Sequence, residues 1–94
     1  MILLHIEHPV PDFDAWKAAF ERDPVGRQKS GVLRYRILRP VDNPNYAIID
    51  LEFGSVGQAE GLLAAMQQVW QRVSGTLMRD PQWRISEVVE TTEY

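Results

Sequence analysis

The sequence contains no cysteine, which excludes disulfide bonds and thiolate catalysis. It has no apolar run near the roughly 20 residues that a membrane-spanning helix requires. The N-terminal segment reaches His5 and Glu7 without a basic region or a small-residue cleavage site, so we expect no signal peptide and a cytoplasmic protein. Lys and Arg number 10 against 13 Asp and Glu, giving a net charge of -3. Nucleic-acid binding needs a basic surface, so we do not expect a nucleic acid as partner.

Signatures of the common catalytic sites are missing as well. The chain has no nucleophile elbow and no phosphate-binding loop. His5, Glu7 and His8 lie close together, but no further ligand accompanies them, so we expect neither a metal nor an organic cofactor. With 94 residues, 45% of them hydrophobic, the chain is predicted to form one domain over residues 1–94.

The patterns along the chain predict an α+β fold. A strand rich in aliphatic residues over 2–7 precedes a helix over 13–22, for which Asp12 is the expected N-cap. Two alternating segments, 32–39 and 46–53, flank a turn rich in Pro, Asp and Asn, and this arrangement predicts a β-hairpin.

The second helix has the clearest pattern in the sequence. Ser55 begins a capping box, and apolar residues then recur at helical spacing until the helix is predicted to end near Gly75. Gly57 and Gly61 weaken such a helix, so we expect close packing on the sheet to compensate. A last alternating strand is predicted over 83–90.

The βαββαβ order is the ferredoxin-like pattern, a four-stranded antiparallel sheet with both helices on one face and the first and third strands central. Alternation then assigns an apolar set to the helix side: Ile2, Leu4, Ile6, Leu33, Tyr35, Ile37, Ala47, Ile49, Leu51 and Phe53. The opposite face mixes apolar residues with charges of both signs: Leu3, His5, Glu7, Arg34, Arg36, Leu38, Tyr46, Ile48, Asp50, Glu52, Arg84 and Val88. Such a face is typical of a sheet that meets a partner, so we expect a homodimer through it, provided that no bulge shifts the hairpin.

Several segments occur here in an order that one family shares: His5, HPVPDFDAWKAAF over 8–20, Arg27, Gly31, RPVDNPNYAIIDLEF over 39–53 and a second helix rich in Gln, Ala, Leu and Met. Together they resemble the dimeric α/β-barrel proteins related to antibiotic-biosynthesis monooxygenases. The resemblance implies that two sheets pack face to face into a barrel, and that each subunit has a pocket between its sheet and helices. Members include cofactor-independent oxygenases of polycyclic aromatic substrates, haem-degrading enzymes, isomerases and cyclases. The oxygenases combine Trp, Tyr and Asn in the pocket, whereas Asn43 and Asn45 lie in the predicted hairpin turn.

Two residues are candidates for acid–base chemistry. His5 and Asp50 lie in the middle of neighbouring strands on the same predicted face, and an aspartate that orients an imidazole makes it a base near neutral pH. The alternative is a structural histidine that satisfies one hydrogen bond. His8, among turn-forming residues before Pro9, is expected to be a cap or surface residue.

Aromatic and apolar side chains could form a flat pocket for an aromatic ligand: Trp16, Phe20, Tyr35, Met66, Trp70 and Trp83. They could equally be core, since an amphipathic helix buries such positions in any case. Arg27, with Lys29, could bind an anionic group of a ligand, or it could be a solvated loop charge.

These observations leave three hypotheses. The favoured one is a small dimeric barrel enzyme that acts on an aromatic or polyketide-like molecule without metal or organic cofactor, with His5 as base and Asp50 orienting it. It predicts an open pocket that contains His5 or Trp70 and an inward-pointing polar group. A non-catalytic protein that binds a small hydrophobic molecule predicts a pocket lined by carbon, and a structural or interaction module predicts a filled core.

Overall fold

The computed structural model describes all 94 residues and confirms the α+β class and the predicted order of elements. The elements are β1 (Ile2–Pro9), α1 (Phe13–Glu21), β2 (Arg34–Leu38), β3 (Tyr46–Phe53), α2 (Val56–Val73) and β4 (Gln82–Glu87). Neither helix combines the length and the apolar character that crossing a membrane requires.

The four strands form one antiparallel sheet in the order β2-β3-β1-β4, so β1 and β3 are central as predicted. Their register places Leu4 opposite Leu51 and His5 opposite Asp50, and pairing continues through β2 without a bulge. Because neighbouring residues of a strand point to opposite faces, the two predicted faces of the central strands are confirmed.

One face of the sheet and the inner faces of both helices form a single core of 15 buried residues. Leu4, Ile6, Leu51 and Phe53 are fully buried there. The apolar set is less well buried at the sheet edge, where Leu33 is 64% exposed. That residue precedes β2, which is shorter than predicted, and an edge strand has neighbours on one side only.

Side-chain caps begin both helices as the sequence predicts. The Asp12 carboxylate accepts hydrogen bonds from the backbone N–H groups of Asp14 (3.0 Å) and Ala15 (3.2 Å). Ser55 Oγ accepts from the backbone N–H of Gln58 at 3.2 Å. These caps satisfy N–H groups that a helix start leaves without a partner, which accounts for the accurate predicted start of each helix.

The expected role of the glycines in α2 is wrong. A Cβ atom at Gly57 or Gly61 would meet nothing within 4 Å, so neither residue permits close packing. The glycine that does permit a close approach is Gly31, which has φ +100° and lies where a Cβ would come within 2.7 Å of the Gln58 carboxamide. The left-handed backbone conformation therefore favours glycine in the loop before β2, whereas the flexible Gln58 side chain can move aside.

Candidate functional site

An apolar recess lies between the C-terminal halves of the two helices and has a volume of about 450 Å³. It is lined by 14 residues, of which 10 are hydrophobic: Trp16, Ala19, Phe20, Val25, Met66, Val69, Trp70, Val73, Leu77 and Met78. All of the lining residues belong to the helices or to the loops that follow them, and no strand contributes one. We call this recess the helix-side cavity.

Stacked aromatic rings support the walls of the helix-side cavity. Trp16 stacks on Phe20 with ring centroids 5.4 Å apart, and Phe20 meets the edge of Tyr35 at 5.3 Å. On the other wall, Trp70 stacks on Trp83 at 5.6 Å. Tyr35 and Trp83 do not line the cavity themselves but support rings that do.

Arg27 is held rigidly against one wall of the helix-side cavity. Its Nη1 donates a hydrogen bond to the Phe20 carbonyl at 2.7 Å and lies 3.5 Å from Asp23 Oδ1, which also accepts the backbone N–H of Arg27 at 2.8 Å. The guanidinium carbon lies 4.0 Å from the centroid of the Phe20 ring and 4.9 Å from that of Tyr35, within the range of cation–π contact. With these contacts the side chain is only 12% exposed, so Arg27 is a fixed part of the wall.

The remaining polar character of the helix-side cavity is cationic. Besides Pro24, its lining residues that are not hydrophobic are Arg22, Arg27 and Arg72, and no Asp, Glu, His, Lys or Tyr lines it. The cavity therefore offers planar apolar surfaces and positive charge, and it contains no side chain that changes protonation near neutral pH.

The structure brings together Trp16, Phe20, Arg27, Met66 and Trp70 from the predicted site and leaves Tyr35 behind the wall. His5 and Asp50 lie elsewhere, on the face of the sheet that the helices do not cover. The cause is the period of two in β1: even-numbered side chains point toward the helices and His5 points away from them. In one subunit, the predicted base and the predicted aromatic pocket are thus two separate places.

The predicted contact between His5 and Asp50 is present on this open face. His5 Nδ1–H donates to Asp50 Oδ1 at 2.7 Å, while His5 Nε2 lies 3.6 Å from Glu7 and Arg36 lies 3.7 Å from the other oxygen of Asp50. Arg34 also pairs with Glu52 across the strands. No group of three or more potential ligands is arranged to hold a metal ion. We call this surface, with its ion pairs, the open sheet face.

The prediction that His8 is a cap or surface residue is wrong. β1 continues to Pro9, so His8 lies on the helix side of the strand, 1% exposed, with its ring 5.5 Å from that of Trp16. Its Nδ1 lies 3.3 Å from the Pro9 carbonyl, and its Nε2 has no hydrogen-bond partner. Burial lowers the pKa of His8. The alternation of Ile2, Leu4 and Ile6 continues to position 8 and could have revealed this burial.

No family model and no curated protein matches the sequence. Solved structures do match the fold over nearly the whole chain. SnoaB of Streptomyces nogalater, a cofactor-independent oxygenase, is 14% identical with a TM-score of 0.76, over 96% of this chain and 94% of SnoaB. A protein of Deinococcus radiodurans, provisionally assigned as an antibiotic biosynthesis monooxygenase, is 18% identical with a TM-score of 0.72, over 100% of this chain and 98% of that protein. A dimeric ferredoxin-like protein from an uncultured marine organism is 11% identical with a TM-score of 0.71, over 97% of each chain.

These structures confirm the predicted resemblance at the level of the fold. At 11 to 18% identity, a shared arrangement of strands and helices is what the comparison demonstrates. The chain has the ferredoxin-like fold of proteins related to antibiotic-biosynthesis monooxygenases.

Proposed function

We propose that this chain is a monooxygenase-like dimeric barrel protein that acts on a small aromatic or polyketide-like molecule, without metal or organic cofactor, in the helix-side cavity. The supporting observation is the cavity itself. Its volume of about 450 Å³ lies within the range of about 300 to 1,000 Å³ that is usual for small-molecule sites, and its walls are aromatic faces. A flat ring can stack between Trp16 or Phe20 on one side and Trp70 on the other.

The proposed chemistry needs only the bound molecule and dioxygen. An electron-rich ring that carries a CH₂ group can be oxidised to the ketone: one oxygen atom of O₂ enters the carbon, and the other leaves as water with the two hydrogens. The side chains of the cavity would bind and orient the ring and exclude water from it. The similarity of the fold to SnoaB, a cofactor-independent oxygenase, supports this reaction class.

The same proposal includes a homodimer formed through the open sheet face. Leu3 and Ile48 are only half-buried on that face and alternate with paired charges, as expected of a surface that meets a partner. A dimeric protein among the similar structures supports the arrangement.

One observation favours a second candidate, a non-catalytic protein that binds a small aromatic molecule. Arginines are the only polar side chains of the helix-side cavity, and an arginine cannot accept a proton as a base. Binding without turnover requires nothing that the cavity lacks.

Adjacent alanines of α1 provide a matched test. Ala19 lines the helix-side cavity, whereas Ala18 is exposed and does not. We expect wild type to bind the neutral fluorescent probe N-phenyl-1-naphthylamine. Ala19→Phe should weaken this binding about fivefold or more by occupying the cavity, and Ala18→Phe should leave it unchanged. Equal binding by both variants would show that the ligand lies elsewhere.

Oxygen uptake separates the two candidate functions. Wild type is incubated with a panel of naphthols and tricyclic phenols, and O₂ consumption is followed with an electrode. Uptake that exceeds the protein-free rate and is lost in Ala19→Phe but retained in Ala18→Phe supports the oxygenase. Binding of the same compounds without uptake supports the non-catalytic protein.

A further inference from the structure

We infer that the helix-side cavity selects aromatic anions, molecules whose ring enters the apolar part while a carboxylate, sulfonate or phenolate meets arginines at the rim. This inference rests on the proposed function and names the class of its ligand. The observation that carries it is the separation of charge: the chain has a net charge of -3, yet every charged residue that lines the cavity is an arginine.

The three arginines differ in what they already bind. Arg27 is committed to the Phe20 carbonyl, to Asp23 and to two aromatic rings. Arg22 and Arg72 are exposed and form no ion pair, so their guanidinium donors are free. A planar guanidinium with free donors binds a carboxylate or sulfonate through two parallel hydrogen bonds.

The fold brings these two free arginines to one rim. Arg22 is the C-cap residue of α1, and Arg72 lies in the last turn of α2, so both helices end at the cavity with a cation. Cations at these positions also offset the partial negative charge of the helix C-termini. That purely structural role predicts an effect on stability and none on the choice of ligand, so the two explanations are separable.

The helix-side cavity contains no base, and this also favours an anionic ligand. No lining side chain can remove a proton near neutral pH, so a molecule that reacts as an anion has to be ionised when it binds. The arginines would then stabilise the charge that the molecule carries.

Two dyes of the same shape test this inference. 8-Anilinonaphthalene-1-sulfonate has the ring system of N-phenyl-1-naphthylamine with one added sulfonate, and the fluorescence of both dyes increases in an apolar site. We compare wild type with the double variant Arg22→Gln/Arg72→Gln. The control Arg84→Gln removes a cation from the open sheet face and makes no change in the helix-side cavity.

The double variant should bind the sulfonate about five- to twentyfold more weakly and the neutral dye less than twofold more weakly, with Arg84→Gln close to wild type for both. Raising the salt concentration from 0.05 to 0.5 M should weaken the binding of the sulfonate alone, because salt screens exposed charges. Far-UV circular dichroism verifies folding. If the double variant unfolds, the single variants Arg22→Gln and Arg72→Gln take its place, each with an expected loss of about two- to fivefold.

The possible outcomes distinguish the inference from the proposed function. If wild type binds the neutral dye as tightly as the sulfonate, or if the double variant loses both dyes equally, the selection of anions is refuted and the cavity still binds an aromatic molecule. A lower melting temperature with unchanged dye selectivity would mean that the arginines only stabilise the helix ends, and would also refute it. If wild type binds neither dye, both the inference and the proposed function are refuted.

Discussion

The two faces of the sheet differ in composition although they are built from the same strands. On the helix side, Leu4 and Leu51 are fully buried and belong to one apolar core. On the open sheet face, Leu3, His5 and Asp50 are partly exposed and alternate with other charges. The helix side therefore determines stability, while the open face is available to a partner.

The pair of residues that resembles an active site and the apolar cavity lie on different sides of the sheet. A histidine held by an aspartate has the appearance of an active site, yet His5 and Asp50 lie on the open sheet face, where the recess that His5 lines is mostly polar. The apolar recess lies on the other side and contains no histidine. A ligand gains most where it leaves water, so the cavity is the better guide to the binding site.

Neighbouring leucines of β1 give the largest expected effect. Leu4→Ala removes a fully buried side chain and should lower the free energy of unfolding by about 2 to 5 kcal/mol. Leu3→Ala, one residue away on the open sheet face, should cost less than about 1 kcal/mol within a subunit. Urea denaturation monitored by circular dichroism measures both values, and repeating it at several protein concentrations separates the contribution of the proposed dimer. Equal losses would contradict the distinction between the two faces.

The same leucine tests the proposed dimer. Leu3→Lys places a charge in the open sheet face and should weaken self-association about tenfold or more, as measured by analytical ultracentrifugation. Lys29→Glu, a change of an exposed loop residue, is the control. A wild type that is monomeric at micromolar concentration would refute the dimer.

His8 gives the next largest effect, because it is the polar exception on the helix side. Its Nε2 is buried without a partner, and such an atom costs about 1 to 3 kcal/mol. His8→Phe should therefore raise the free energy of unfolding at pH 7 by about 1 kcal/mol and keep an aromatic edge against Trp16. A loss of stability at pH 7 would mean that Nε2 is satisfied in solution.

The pH dependence of the same variant has a definite sign. Because burial lowers the pKa of His8 below its ordinary value of 6.5, the unfolded chain binds more protons than the folded chain between the two pKa values. Wild type therefore keeps its full stability above about pH 6.5. Its free energy of unfolding decreases as the pH falls toward the lower pKa of His8 in the folded state. As the pH falls from 7 to 5.5, the difference in free energy of unfolding between His8→Phe and wild type should therefore grow. An advantage that shrinks over that range would contradict the lowered pKa.

The smallest expected effect on stability comes from a residue of the second helix. Gly61 lies on the solvent side of α2 with open space around it, so Gly61→Ala should stabilise the protein by about 0.5 to 1 kcal/mol through a higher helix propensity. Its melting temperature should rise, while binding of N-phenyl-1-naphthylamine stays the same. A lower melting temperature would mean that this side of α2 is covered by a partner.

The sequence predicts the fold well because local signals agree with one another. β3 is predicted over 46–53 and observed there, since its alternation is strict and both ends are marked. The end of β1 is predicted too early because proline usually ends a strand, whereas β1 includes Pro9 as its last residue. The same shift of two residues is what placed His8 on the surface.

The site is predicted less completely, for a physical reason. Aromatic residues at helical spacing are apolar whether they fill a core or line a cavity, so the pattern of Trp16 and Phe20 does not distinguish the two. Arg22 and Arg72 have no local signal, because they line one cavity only through the packing of the two helices. His5 and Asp50 follow from strand register, but the position of a cavity relative to the sheet does not.

The whole lining of the helix-side cavity comes from two short stretches of chain, 16–27 and 66–78, and none of it comes from the strands. Ligand preference can therefore change by substitutions within these two stretches while the sheet stays as it is. For protein engineering, the lining residues outside the buried core, such as Ala19, Val25 and Val69, are the positions to vary, because the buried aromatic and methionine side chains of the lining also hold the core together.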